Sequence, residues 1–294
     1  MNIILTIYLF AAVAVHALDV DLGAFKSFGD TQPWVNPRIS VNRQLQNKAS
    51  RIVNSKEAAL KRFPYQVGLI LYFKWSRQMC AGSIISNRWV LTARIDIPFL
   101  IYRSKGVYVY LGARNHDDST EANQNRIFVS RKNVILHENY DDHSFLNDLS
   151  LIKLPIVIKF NDYIQPVNLP KKSSTYPTYV DQWVIASGWG KHNPNILRWV
   201  QLPVLTNEEC SKYFPDMNML LNTRICTRSE DFTSICFGDS GGPLVLADGS
   251  RTLIGVSSFG SEWSCEEGYP NGFLRPVTIS KIKTCRVKCT RIVF

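Results

Sequence analysis

Cys236-Phe237-Gly238-Asp239-Ser240-Gly241-Gly242-Pro243-Leu244 is the stretch on which the reading of this chain turns. Glycines on both sides of a serine let the backbone bend tightly and leave the hydroxyl exposed. The amides of Gly238 and Ser240 can then converge on one point as an oxyanion hole. A Gly/Ser run by itself is compatible with an ordinary turn. A cysteine, an acid and a proline before an apolar strand bracket this one, and that combination is far more specific.

Outward from this loop the chain reads as short strands. One set covers residues 66–73, 83–85, 89–93, 107–112, 127–129, 134–136 and 149–154. A second covers 183–186, 202–204, 243–246 and 252–257, with 165–170 as a connector. Short strands at regular spacing with turns between them predict an all-β protein, a pair of barrels or sandwiches.

The serine segment resembles that of the trypsin/chymotrypsin family of serine proteases, and the resemblance extends over roughly residues 51–273. Asn147-Asp148-Leu149-Ser150-Leu151-Ile152 is similar to the segment bearing the family's triad aspartate, which makes Asp148 the group that orients a histidine. Ser187-Gly188-Trp189-Gly190 matches the family's Gly-Trp-Gly strand end. The resemblance implies two packed six-stranded antiparallel β-barrels, about 52–168 and 169–280, with Asp148 from the first and Ser240 from the second. It implies disulfides Cys210–Cys226 and Cys236–Cys265. It implies activation by cleavage after Arg51, carried out by another trypsin-like protease. The freed Ile52 ammonium would then bury itself against Asp239. Ser258-Phe259-Gly260 is similar to the strand that pairs with substrate backbone. Ser234 falls at the floor of the primary specificity pocket, where a neutral residue implies an apolar-accepting, chymotrypsin-like pocket. The loop from Cys265 to Phe273 resembles those of invertebrate digestive and collagenolytic branches.

The pattern breaks at two places. Where the family reads Trp-Val-Leu-Thr-Ala-Ala-His-Cys, this chain reads Trp89-Val90-Leu91-Thr92-Ala93-Arg94-Ile95-Asp96. Ile95 stands at the histidine and Asp96 at its neighbouring cysteine, the expected partner of Cys80. A serine hydroxyl is a poor nucleophile without a base to take its proton, and isoleucine is no base. Asp148, buried without an imidazole, would need protonation, a water, a bond to Ser258, or the Arg94 guanidinium as counter-ion. His116, His137, His143 and His192 are expected on the surface. The second break follows Leu274. Residues 279, 282, 285, 289 and 292 fall at helical spacing, so a short C-terminal helix with a solvated basic face is expected.

Residues 1–17 carry an apolar run too short to span a bilayer and end in Val15-His16-Ala17, the form of a secretory signal. Residues 18–51 are polar, a pro-segment or a loose N-terminal arm. Seven cysteines suit an oxidising compartment. No zinc spacing appears, so no metal is expected, and no organic cofactor is implied. The net charge of +10 has no aromatic-interleaved basic motif with it, which argues against nucleic acid. No later segment suits a membrane span.

Two functions compete. One is a secreted, monomeric protease homologue that binds protein segments with catalysis impaired at Ile95. The other is an active endopeptidase whose recorded sequence is wrong around residues 94–106, through misread exon edges.

Overall fold

The structure is a computed structural model, and it describes residues 55–281 apart from 73–76, 95–104, 172, 174, 191–194, 216–221, 261–264 and 266. Residues 1–54, which include the expected signal, Arg51 and Ile52, lie outside the described residues, as do Ile95 and 282–294.

Strand β2 (Gln66–Tyr72) shows how the apolar patterning is used. Val67, Leu69 and Leu71 point into one core with Val109, Val129 and Ile152. Ile70, on the other face, joins a different cluster with Trp189, Val256 and Leu274. Alternate residues of the strand therefore serve two cores, a barrel interior and the seam between sheets. That is why the strand reads as an almost unbroken apolar run.

The first sheet contains β2, β3 (Arg77–Ser86), β4 (Trp89–Thr92), β5 (Gly106–Leu111), β6 (Asn125–Ser130), β7 (Val134–Leu136) and β8 (Ser150–Lys153). Its order is β6-β5-β2-β3-β4-β8-β7, all antiparallel. The second contains β1 (Lys56–Glu57), β9 (Trp183–Gly188), β10 (Arg198–Leu205), β11 (Arg224–Thr227), β12 (Pro243–Leu246), β13 (Leu253–Phe259) and β14 (Asn271–Leu274). Pairing of β9 with both β12 and β10 closes six of these strands into a ring, to which β1 adds as a seventh. The interior of this barrel is filled by Val184, Ala186, Val200, Leu202, Val204, Leu244 and Phe273 at the spacing of two that a strand requires. The all-β expectation holds, with two barrel-like sheets of seven strands each among the described residues.

Three strands escaped the sequence reading: the two-residue β1, together with β11 and β14. β11 is four residues long, and β14 begins Asn271-Gly272, a turn signal. β14 is a strand because β11 and β13 pair with it on both edges. Its glycine is required: a Cβ at Gly272 would lie 1.9 Å from the Phe259 ring. Pro276–Lys281 form a 3-10 segment with Ile279 buried, and the rest of the expected C-terminal helix lies outside the described residues. The disulfides Cys210–Cys226 and Cys236–Cys265 are formed. Cys80 is buried in β3.

Trp189 is the main apolar link across the seam. It follows β9 yet is fully buried, donates from Nε1 to the Arg114 carbonyl of the first half at 3.2 Å, and lies 3.5 Å from where a Cβ on Gly68 would sit. Ser187 Oγ donates to Gln66 Oε1 at 2.6 Å beside it. Trp189→Ala is expected to lower unfolding free energy by about 3–5 kcal/mol in denaturant titration, the cost of a large cavity plus a lost buried hydrogen bond.

Candidate active site

Asp148 is fully buried at the seam. Its Oδ1 accepts the backbone N–H of Arg94, at the end of β4, at 2.7 Å. Its Oδ2 accepts the Ser258 hydroxyl, from β13 of the second sheet, at 2.5 Å. Of the ways to satisfy this carboxylate, the bond to Ser258 is present. Arg94 reaches it with its backbone, while its guanidinium lies 4.2 Å from the Tyr140 ring centre. The loop before Asp148 is tightly wound: Phe145 and Asn147 have φ of 52° and 57°, in the left-handed region. Asn147 Nδ2 donates to the Asn139 carbonyl at 2.8 Å, and Leu149 N–H to the Asn147 carbonyl at 2.7 Å.

The serine loop is held from both sides. Ala81 N–H of β3 donates to the Ser240 carbonyl at 2.8 Å, and Gly241 N–H donates to the Ser257 carbonyl at 2.8 Å. Gly238 and Gly241 have φ of +97° and +79°. A Cβ at Gly241 would fall 2.0 Å from Thr92 Oγ1 and 2.4 Å from the Ala81 carbonyl. The loop therefore packs against the strand end that leads into Arg94, and glycine is the residue that fits there.

Asp239 occupies a socket made by the Gly-Trp-Gly strand end. Its Oδ1 accepts Gly190 N–H at 2.8 Å and its Oδ2 accepts Cys236 N–H at 2.9 Å. Gly188 admits it, since a Cβ there would lie 2.0 Å from Oδ1. Burial pushes the carboxyl up to about 7, against the pull of backbone N–H groups from Cys236, Gly190 and Trp189.

Beside Ser240 opens a cavity of about 130 Å³, walled by Phe237, Phe259 and Tyr269 among others. Ser234 and Ser258 also line it, as does Gly260. Ser234 Oγ donates to Asn271 Oδ1 at 2.6 Å, and Asn271 Nδ2 donates to Thr227 Oγ1 at 3.5 Å. None of the described lining residues carries a charge. Asn271 is a lining residue that the sequence reading missed. In sequence it is half of an Asn-Gly turn signal, and only the pairing of β14 turns it toward Ser234.

The histidines differ from expectation. His116 and His137 are each 1% exposed, not on the surface. His116 stacks edge-on against Trp189 at 5.8 Å, with Nδ1 3.1 Å from the Asp117 carboxylate. His137 Nδ1 accepts the Asn139 N–H at 3.2 Å. Their loops fold inward to cover Trp189 and the start of β8, and aromatic imidazole edges fill that space. His143 is exposed as expected. Neither these three nor any other described histidine lines the cavity, and His192 lies outside the described residues. Among the described residues no three His, Cys, Asp or Glu side chains gather as metal ligands, and no helix is long and apolar enough to cross a membrane.

The Trypsin family model matches residues 52–283. The chain is 37% identical to a collagenase of Hypoderma lineatum over 231 residues, covering 78% of this chain and 84% of that protein. It is 36% identical to serine protease 1 of Drosophila melanogaster, covering 76% of this chain and 81% of that one. It is 31% identical to brachyurin of Leptuca pugilator, covering 76% and 93%. A solved structure of HL collagenase superposes with a TM-score of 0.67 at 35% identity, covering 78% of this chain and 95% of that one. The buried acid at the seam, the serine loop and the extended match together place this chain in the trypsin family of serine proteases.

Proposed function

We propose that this trypsin-family chain is a secreted, monomeric protease homologue that binds protein segments in its cleft, with catalysis strongly impaired. The observation that carries this reading is a complete serine loop and seam carboxylate combined with isoleucine at position 95. Ser240 would be the nucleophile, Gly238 and Ser240 the oxyanion donors, and Asp148 the orienting acid. The missing part is the base. Loss of the histidine in a comparable serine protease lowers turnover about a million-fold. The oxyanion hole and substrate binding leave a residual acceleration of roughly 10³–10⁴ over water.

The second reading, an active endopeptidase with a histidine in its true transcript, is favoured by how fully the partners of that histidine are retained. Asp148 keeps its bond to Ser258, and the loop of Ser240 still packs on Thr92. Resequencing the transcript across residues 90–110 separates the two.

In either reading a bound segment would lie extended along Ser258, Phe259 and Gly260, adding a strand at that edge. Its anchoring side chain would enter the cavity. An apolar body suits Phe237, Phe259 and Tyr269, and a polar tip suits Ser234 and Asn271. Activation would follow cleavage after Arg51, with Asp239 receiving the Ile52 ammonium. Residues 1–17 would direct secretion.

Fluorophosphonate labelling of Ser240, after cleavage at Arg51, tests the impairment. The natural chain is expected to label slowly, and Ile95→His to label at least about 10³-fold faster. Equal rates in the two proteins would overturn the reading.

The Asp239 carboxyl is raised in the fold to about 7. The uncleaved chain therefore holds the associated stability fully below the ordinary carboxylate range and loses it as pH rises toward 7. Relative to Asp239→Asn, the loss is expected to reach about 3 kcal/mol between pH 4 and 7, from the size of that shift. Cleavage after Arg51 should abolish the difference, which thermal denaturation across pH measures.

Asn271→Asp puts a carboxylate beside Ser234. Binding of N-acetyl-arginine amide is expected to improve at least about tenfold over N-acetyl-tyrosine amide, as read by calorimetry.

A further inference from the structure

Arg224 has no part in the chemistry described so far, yet its side chain is fully buried. It leaves β11 of the second sheet, and Nη2 donates to the carbonyl of Ser144, in the loop that leads to Asp148. On the way the guanidinium passes the Phe259 ring, 5.5 Å from its centre. Burial holds its pKa below the ordinary value, opposed by the charge of Asp141. The backbone carbonyl of Arg224 is itself held by Arg275 Nε at 3.1 Å, so the base of the side chain is anchored.

The loop it reaches has internal bonds but an unfavourable backbone. Asp141 N–H donates to the Leu146 carbonyl at 3.0 Å, and Ser144 Oγ to Asp141 Oδ2 at 2.5 Å. Phe145 and Asn147 both hold positive φ, a conformation that non-glycine residues keep where surroundings enforce it. Phe145 packs on the cluster of Phe259, Cys210 and Cys226, as does Phe214. An apolar side chain of similar length would fill the same space without desolvating a charge. What a guanidinium adds is donation across the seam.

We propose that Arg224 is a positioning residue: through the Ser144 carbonyl it holds the 141–147 loop in the conformation that presents Phe145 to the cleft wall and Asp148 to Ser258. The consequence for ligands rests on the peptide-binding reading above. A segment that extends past Phe259 feels the loop, whereas a single residue in the cavity does not.

Amide exchange and binding test this in the intact protein. In Arg224→Met, the Asp141 and Leu149 amides are expected to exchange at least about tenfold faster, with the Ser257 amide unchanged as a control. Equal acceleration at all three, or none at Asp141 and Leu149, would overturn the proposal. Arg224→Lys, which keeps a donor, is expected to fall between the natural chain and Arg224→Met, and carries the same comparison if the methionine variant does not fold. In binding, Arg224→Met is expected to weaken a tetrapeptide ending in tyrosine amide about tenfold while leaving N-acetyl-tyrosine amide unaffected. Equal weakening of both ligands, or of neither, counts against it. If the natural chain binds neither ligand, the peptide-binding reading fails, and the exchange comparison still decides the role of Arg224.

Discussion

A carboxylate with no exposure to water has to find its hydrogen bonds inside the protein, and Asp148 finds them in both halves of the molecule. Arg94 supplies a backbone N–H from the first sheet and Ser258 a hydroxyl from the second. A buried charge left without donors would be strongly destabilising. The two sheets are thus bound to one relative placement at this point. The serine loop depends on the same placement, since Ser240 and Gly241 bond to Ala81 on one side and Ser257 on the other.

A second buried carboxylate solves the same problem differently. Asp239 sits among backbone amides in a socket that exists because Gly188 has no side chain. Burial there outweighs the amides and lifts its pKa, so the neutral carboxyl is favoured. One acid is thus satisfied by donors from both sides of the seam and the other by backbone amides around its socket. The proposed impairment leaves both devices in place and removes the base that would link Asp148 to Ser240.

Much of this was readable from residues. Gly238 through Pro243 announced the serine loop, and Asn147-Asp148-Leu149 announced the acid. Cys210, Cys226, Cys236 and Cys265 pair as the resemblance implied. The buried states of His116 and His137 were not readable, because a polar loop gives no sign that it folds back over Trp189. Asn271 and Arg224 were missed for a related reason. An Asn-Gly pair reads locally as a turn, and an arginine reads as surface.

The sequence by itself determined the kind of fold and the kind of chemistry. Strand spacing and glycine placement are local constraints, and the proposed loss of a proton acceptor rests on Ile95 in the sequence. The tertiary structure decided which groups meet: Ser258 with Asp148, Asn271 with Ser234, Arg224 with Ser144. These pairs are separated by 110, 37 and 80 positions in the chain. Hydrogen bonds act over about 3 Å, so contacts between such distant positions become defined only once the chain has folded, within the second half for Asn271 and Ser234 and across the seam for the other two.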